Sequence, residues 1–157
     1  MADHKNVLIA IAATTDPAKL RNFRANARRL SATDVEEAAF RRLVEILPKE
    51  EPGTLEHDFW KTIHAFEEMH SEERGKTIRL SRTRQKVARV GVKETLIGFA
   101  TSKTPTDGFR ILIDYGCPEL TGEALVLKHS KEFNPEVQLA ARRRLEDAGV
   151  DPSKLVL

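Results

Sequence analysis

The chain has 157 residues, of which 40% are hydrophobic and 32% charged, and its 26 Lys and Arg against 24 Asp and Glu leave a net charge of +2. That balance excludes an intrinsically disordered chain, which carries fewer apolar residues and more net charge, and the single cysteine, Cys117, excludes a disulfide-framed fold. No apolar run approaches the roughly 20 residues of a membrane span, and no signal-peptide cleavage pattern follows the run Val7 to Ala13, so the expectation is a cytoplasmic protein with no membrane partner.

Residues 4–13 predict a short apolar helix. Asp16-Pro17 is a start signal, an acid at the N-cap and a proline in the first turn. Leu20, Phe23, Ala27 and Leu30 then recur at helical spacing. Ser31, Thr33 and Asp34 offer a cap for the next helix, whose stripe of Val35, Ala38, Ala39, Leu43, Ile46 and Leu47 ends at Pro48; the short turn predicts a helical hairpin. Thr54 caps a helix with stripe Leu55, Phe59, Ile63, Phe66 and Met69, and Gly75 terminates it. Ser81 caps a helix that Gly91 bends or divides, the second part running to about Ser102.

Thr104-Pro105 opens an ambiguous region. Phe109, Ile111, Ile113 and Tyr115 alternate like a strand, and with Ala124 to Leu127 they allow a short β-hairpin over 109–128. Helices are the preferred reading, because Pro105 and Gly116 stand at helix start and stop positions. Asn134-Pro135 opens the last helix, with Val137, Ala141, Leu145 and Ala148 inward and Gly149 closing it. The expected fold is all-α, one compact domain of about six to eight helices over residues 1–157, with a loose lobe boundary near 75–80.

Charge is unevenly spread. From Arg74 to Lys93 there are eight cations and no acid; without them the chain holds 18 cations against 24 acids, a net charge of −6. Local positive charge steers polyanions, and neutralising phosphates supplies most non-specific nucleic-acid affinity. Arg82, Lys86 and Arg89 fall at i, i+4 and i+7 of a helix, with Arg79 and Lys93 extending the line and Val87 and Val90 facing the core. A second acid-free segment, Lys19 to Arg29, widens the patch if the two helices are neighbours. Within the stretch, Val87-Ala88-Arg89-Val90-Gly91-Val92 followed by Thr95-Leu96 resembles a helix-turn-helix core, one residue short between Ala88 and Gly91. The resemblance implies that Lys93, Glu94 and Thr95 face a DNA groove while Arg82, Arg84 and Arg89 hold phosphates. Its plain alternative is a helix kinked by a glycine that admits another helix closely.

Other chemistry-bearing residues give weaker patterns. His57, His64 and His70 share a helix with Glu56, Asp58, Glu67 and Glu68, and Glu67-x-x-His70 has the spacing of a di-iron carboxylate half-site, but no second Glu-x-x-His exists. A solvated helix face rich in Glu and His is the simpler expectation. Cys117 has no recognisable base beside it in sequence, and Arg142-Arg143-Arg144 reads as a solvated face. No catalytic or cofactor motif emerges. The expectation is therefore a non-enzymatic nucleic-acid-binding protein, DNA favoured, using Arg79, Arg82, Arg84, Lys86, Arg89, Lys93 and Thr95. The alternatives are an adaptor or inhibitor whose basic face docks on an acidic protein, and a metalloprotein centred on helix 55–73.

Overall fold

Side-chain oxygens close several helix N-termini, at Asp16, Thr54 and Asn134 as expected and at Thr106 in addition. The N–H groups of Ala18, His57, Phe109 and Val137 donate to Asp16, Thr54, Thr106 and Asn134 at 2.9, 3.1, 3.1 and 3.0 Å. Each cap satisfies an amide that the helix leaves open and contributes about 1 kcal/mol. The computed structural model describes residues 3–157. It contains α1 (Lys5–Ala13), α2 (Pro17–Arg29), α3 (Thr33–Ile46), α4 (Leu55–Arg74), α5 (Ser81–Thr101), α6 (Asp107–Asp114), α7 (Gly122–Lys128) and α8 (Pro135–Asp147), with three short 3₁₀ turns and no strand among the described residues. None of the described helices is long and apolar enough to cross a membrane.

The hairpin alternative at 109–128 gives way to two helices for a local reason. Thr106 and Thr121 each cap a helix, Phe109 and Leu112 are buried one turn apart, and Gly116, at φ +77°, turns the chain between them. Helical spacing thus buries more than strand alternation would, since Tyr115 is exposed.

The chain packs as two compact units, Met1–Lys49 and Glu50–Leu157, and residues 75–80 lie inside the second. In the first unit, α2 and α3 form the expected helical hairpin, with Leu20, Ala27, Val35, Ala39 and Leu43 buried together with Ile11 of α1. The predicted cap at Ser31, Thr33 or Asp34 does not form. Ser31 instead adopts a left-handed conformation, φ +56°, to make the corner, and Asp34 receives His4 Nδ1 at 2.8 Å.

In the second unit α4 is the central element. Phe59 and Ile63 pack with Leu96 and Ala100 of α5, Leu125 and Val126 of α7, and Val137 and Ala141 of α8. Gly75, at φ +67°, ends α4. The expected solvated Glu/His face of this helix is corrected here, because His57, Asp58 and Glu67 are buried. Their polar atoms serve as crosslinks. His129 Nε2 and Lys128 Nζ, at the end of α7, reach Asp58 Oδ2 at 2.8 and 2.9 Å, and Thr62 Oγ1 donates to Leu120 O. Burial pushes the Asp58 carboxyl up, but the contacts from His129 and Lys128 more than offset it and hold it below its ordinary value.

Candidate functional site

The basic stretch begins at the end of α4 and occupies the first arm of α5. Gly91 has φ +88° and ψ 170°, non-helical values that divide α5 into two arms, 81–90 and 92–101. Only glycine adopts this conformation without strain. A Cβ on Gly91 would meet nothing within 4 Å, so the residue is required by the backbone and not by the close helix approach expected above.

The break folds the arms toward each other. A Cβ built on Gly98 would lie 2.5 Å from Lys86 Nζ. Twelve residues of straight helix span about 18 Å, beyond the reach of one lysine. Gly91 alone departs from helical geometry, whereas a helix-turn-helix uses a turn of about three to four residues.

The seven residues assigned to binding separate into two groups. Arg79, Arg82, Arg89 and Lys93 are exposed, and among the described residues none has a side-chain ion pair or hydrogen bond. The other three are drawn into the fold. Arg84 grips Glu67, with Nη2–Oε1 at 2.6 Å and Nε–Oε2 at 3.0 Å, and its guanidinium lies 5.1 Å from the Trp60 ring centroid. Lys86 is half-buried against Gly98. Thr95 is fully buried and donates to Gly91 O at 2.8 Å. The groove-facing role for Thr95 and the phosphate role for Arg84 are therefore withdrawn, because a satisfied or buried side chain presents nothing to a partner. Val90 is also corrected: it is 39% exposed, and Val87 alone of that pair packs on the core.

Glu67 explains why the basic arm sits where it does. Besides Arg84, its Oε2 accepts the Leu80 N–H at 2.7 Å, at the very start of α5. Burial drives its carboxyl up, and these donors overcome burial and leave it lowered. Within the first unit, Arg24 is buried over the Phe40 ring, 4.8 Å from its centroid, and Arg28 pairs with Glu36 at 2.8 Å. Arg24 and Arg28, both cations of the second acid-free segment, are thus engaged internally.

No protein-family model, curated protein or solved structure matches this chain. Around His57, His64 and His70, as elsewhere among the described residues, no group of three or more His, Cys, Asp or Glu side chains is placed to hold an ion.

Sequence reasoning missed a second feature of the same unit. A cavity of about 280 Å³ lies between α4, α5, α6 and the start of α7, lined mainly by Ile63, Phe66, Phe99, Phe109 and Leu112, with Glu123 and His70 among its walls. Glu123 is 1% exposed and its Oε1 has no hydrogen-bond partner; His70 Nδ1 is likewise buried and unpartnered. Arg144, taken above for a solvated residue, points inward. Its Nη1 donates to Phe99 O at 3.0 Å and Ser102 Oγ at 3.2 Å, and its Nη2 to Ser102 O, so it closes the C-terminal end of α5. The sequence held no signal for this, because Glu123 stands in a short apolar run with no partner at fixed spacing.

Proposed function

We propose that the protein binds nucleic acid, with DNA favoured, through the exposed cations Arg79, Arg82, Arg89 and Lys93. The observation that carries this reading is that all four are solvent-facing and unpaired although the rest of the chain is rich in acids. A cation with no internal partner keeps its full charge available to phosphates. Arg82 and Arg89, seven residues apart, share a helix face about 10 Å long by helix rise. That reach corresponds to roughly three phosphates along one strand at about 3.4 Å each. Val87 anchors the opposite face of the arm in the core, and the Glu67 clamp fixes its start, so the cations are presented on a held scaffold. Contacts of this kind position a protein on phosphate without reading bases, and the reading is therefore of affinity with little sequence preference.

The test is fluorescence anisotropy of a labelled duplex in low and physiological salt. Four phosphate contacts predict an affinity loss of about 10²-fold between roughly 50 and 200 mM salt. Binding that ignores salt, or no binding at the lower salt, sinks the reading. In that event a nuclease-resistant complex with an acidic protein becomes the use of the same surface.

A further inference from the structure

We propose that the cavity between α4, α5, α6 and α7 is a binding site for a small apolar molecule bearing one primary amine, an arylalkylamine in class, with Glu123 as its counter-ion. Three observations support this occupant. The cavity, about 280 Å³, lies just under the about 300–1,000 Å³ typical of small-molecule sites, which limits the ligand to a ring and a short chain. Its walls are dominated by Phe66, Phe99 and Phe109 with Ile63 and Leu112, which favours a ring in the body of the site and tolerates a cation over an aromatic face. The polar groups that lack partners are acceptors of the right kind. Glu123 Oε1 is an unsatisfied acceptor, and His70 Nδ1 accepts when its proton sits on Nε2.

An unsatisfied buried carboxyl is costly, and native proteins rarely keep one without use. Arg144 does not relieve it: its Nη1 stands 3.9 Å from Glu123 Oε1, beyond hydrogen-bond reach. The same Nη1 is already shared between Phe99 O, Ser102 Oγ and Thr104 O. An ammonium head supplies the missing donor and a positive charge closer than that of Arg144. An anionic ligand supplies neither a donor nor a counter-charge, and a neutral alcohol supplies one donor and no charge. Burial raises the Glu123 carboxyl, so the empty site disfavours its charged form. The arriving ammonium favours that form, and any proton the carboxyl still holds leaves to solvent while the ammonium keeps its own.

Three probes of matched shape discriminate the chemistry: 2-phenylethylamine, 2-phenylethanol and 3-phenylpropionate, titrated into the full chain by calorimetry in two buffers of different ionisation enthalpy. The amine should bind about tenfold or more tightly than the alcohol, as a charge-assisted contact implies, with proton release, and the propionate should bind worst. Glu123→Gln, which keeps the shape, should reduce the amine to the alcohol's affinity and abolish proton release while leaving the alcohol unchanged. Phe109→Trp, with helicity checked by circular dichroism, should weaken amine and alcohol together by filling the space. Equal binding of amine and alcohol, retention of amine preference in Glu123→Gln, or no binding of any probe at concentrations on the order of 10 mM overturns the proposal. No nucleic acid enters the assay, so its outcome is independent of the basic surface.

Discussion

Single side chains carry more of this structure than their positions in the sequence suggest. Arg84 is the clearest case. Replacing it with Met keeps an aliphatic side chain, removes the guanidinium over Trp60 and leaves Glu67, whose side chain is only 9% exposed, without its cation. Removing one partner of a fully buried pair costs about 3–5 kcal/mol. Because the Arg84 side chain is 24% exposed, about 2–3 kcal/mol is expected, read as a lowered urea midpoint. A loss indistinguishable from zero would show that the clamp is cosmetic. Glu123 predicts the opposite sign. Its carboxyl is raised, so the folded form holds its proton to higher pH than the unfolded form, and stability falls as pH climbs from about 4.5 toward the folded value. Glu123→Gln should therefore raise Tm at neutral pH and converge with the wild type below that window. Parallel curves at all pH values would contradict the assignment.

At the scale of elements, α5 shows where sequence reading succeeded and where it stopped. The break at Gly91, the caps at Asp16, Thr54 and Asn134, and the terminator Gly75 were legible because each depends on local backbone chemistry. Which cations of the arm were free was not legible. Helical spacing put Arg82, Lys86 and Arg89 on one face, but the fold-back at Gly91 drew Lys86 onto Gly98, and a glutamate seventeen residues upstream claimed Arg84. Both depend on three-dimensional neighbours that no local pattern encodes. The buried Thr95 failed for the same reason. Gly91→Ala tests the element directly. Its φ/ψ costs an alanine about 1–3 kcal/mol if the break persists, and the Cβ itself meets no obstacle. Chemical denaturation should show that loss. An unchanged midpoint would mean that the two arms straighten into one helix at no cost, which the packing of Val87 and Val92 on one core argues against.

On the scale of the whole molecule, acid groups and the basic arm act on different properties. Asp58 and Glu67 are both lowered below their ordinary values of 3.8 and 4.5. Their contribution is complete above those values and is lost as pH falls through the lower folded ones. Burial also lowers His64 from 6.5, against the opposing pull of Glu67, so its part begins to be lost as pH drops below that figure. In a Glu123→Gln background, which removes the opposing contribution of that carboxyl, thermal stability should decline on acidification in two stages, below 6.5 and again below 4.5, and a flat profile down to about pH 3 would contradict the burial of these groups. The exposed cations have no part in that balance, so removing them should alter binding without altering the fold. The most direct test is the salt dependence of duplex binding by the wild type and by an Arg82→Gln, Arg89→Gln, Lys93→Gln variant with unchanged Tm. Four contacts predict a log–log slope near −3.6, and the single remaining cation predicts a slope near −0.9. A folded triple variant that binds with the wild-type slope would contradict the account.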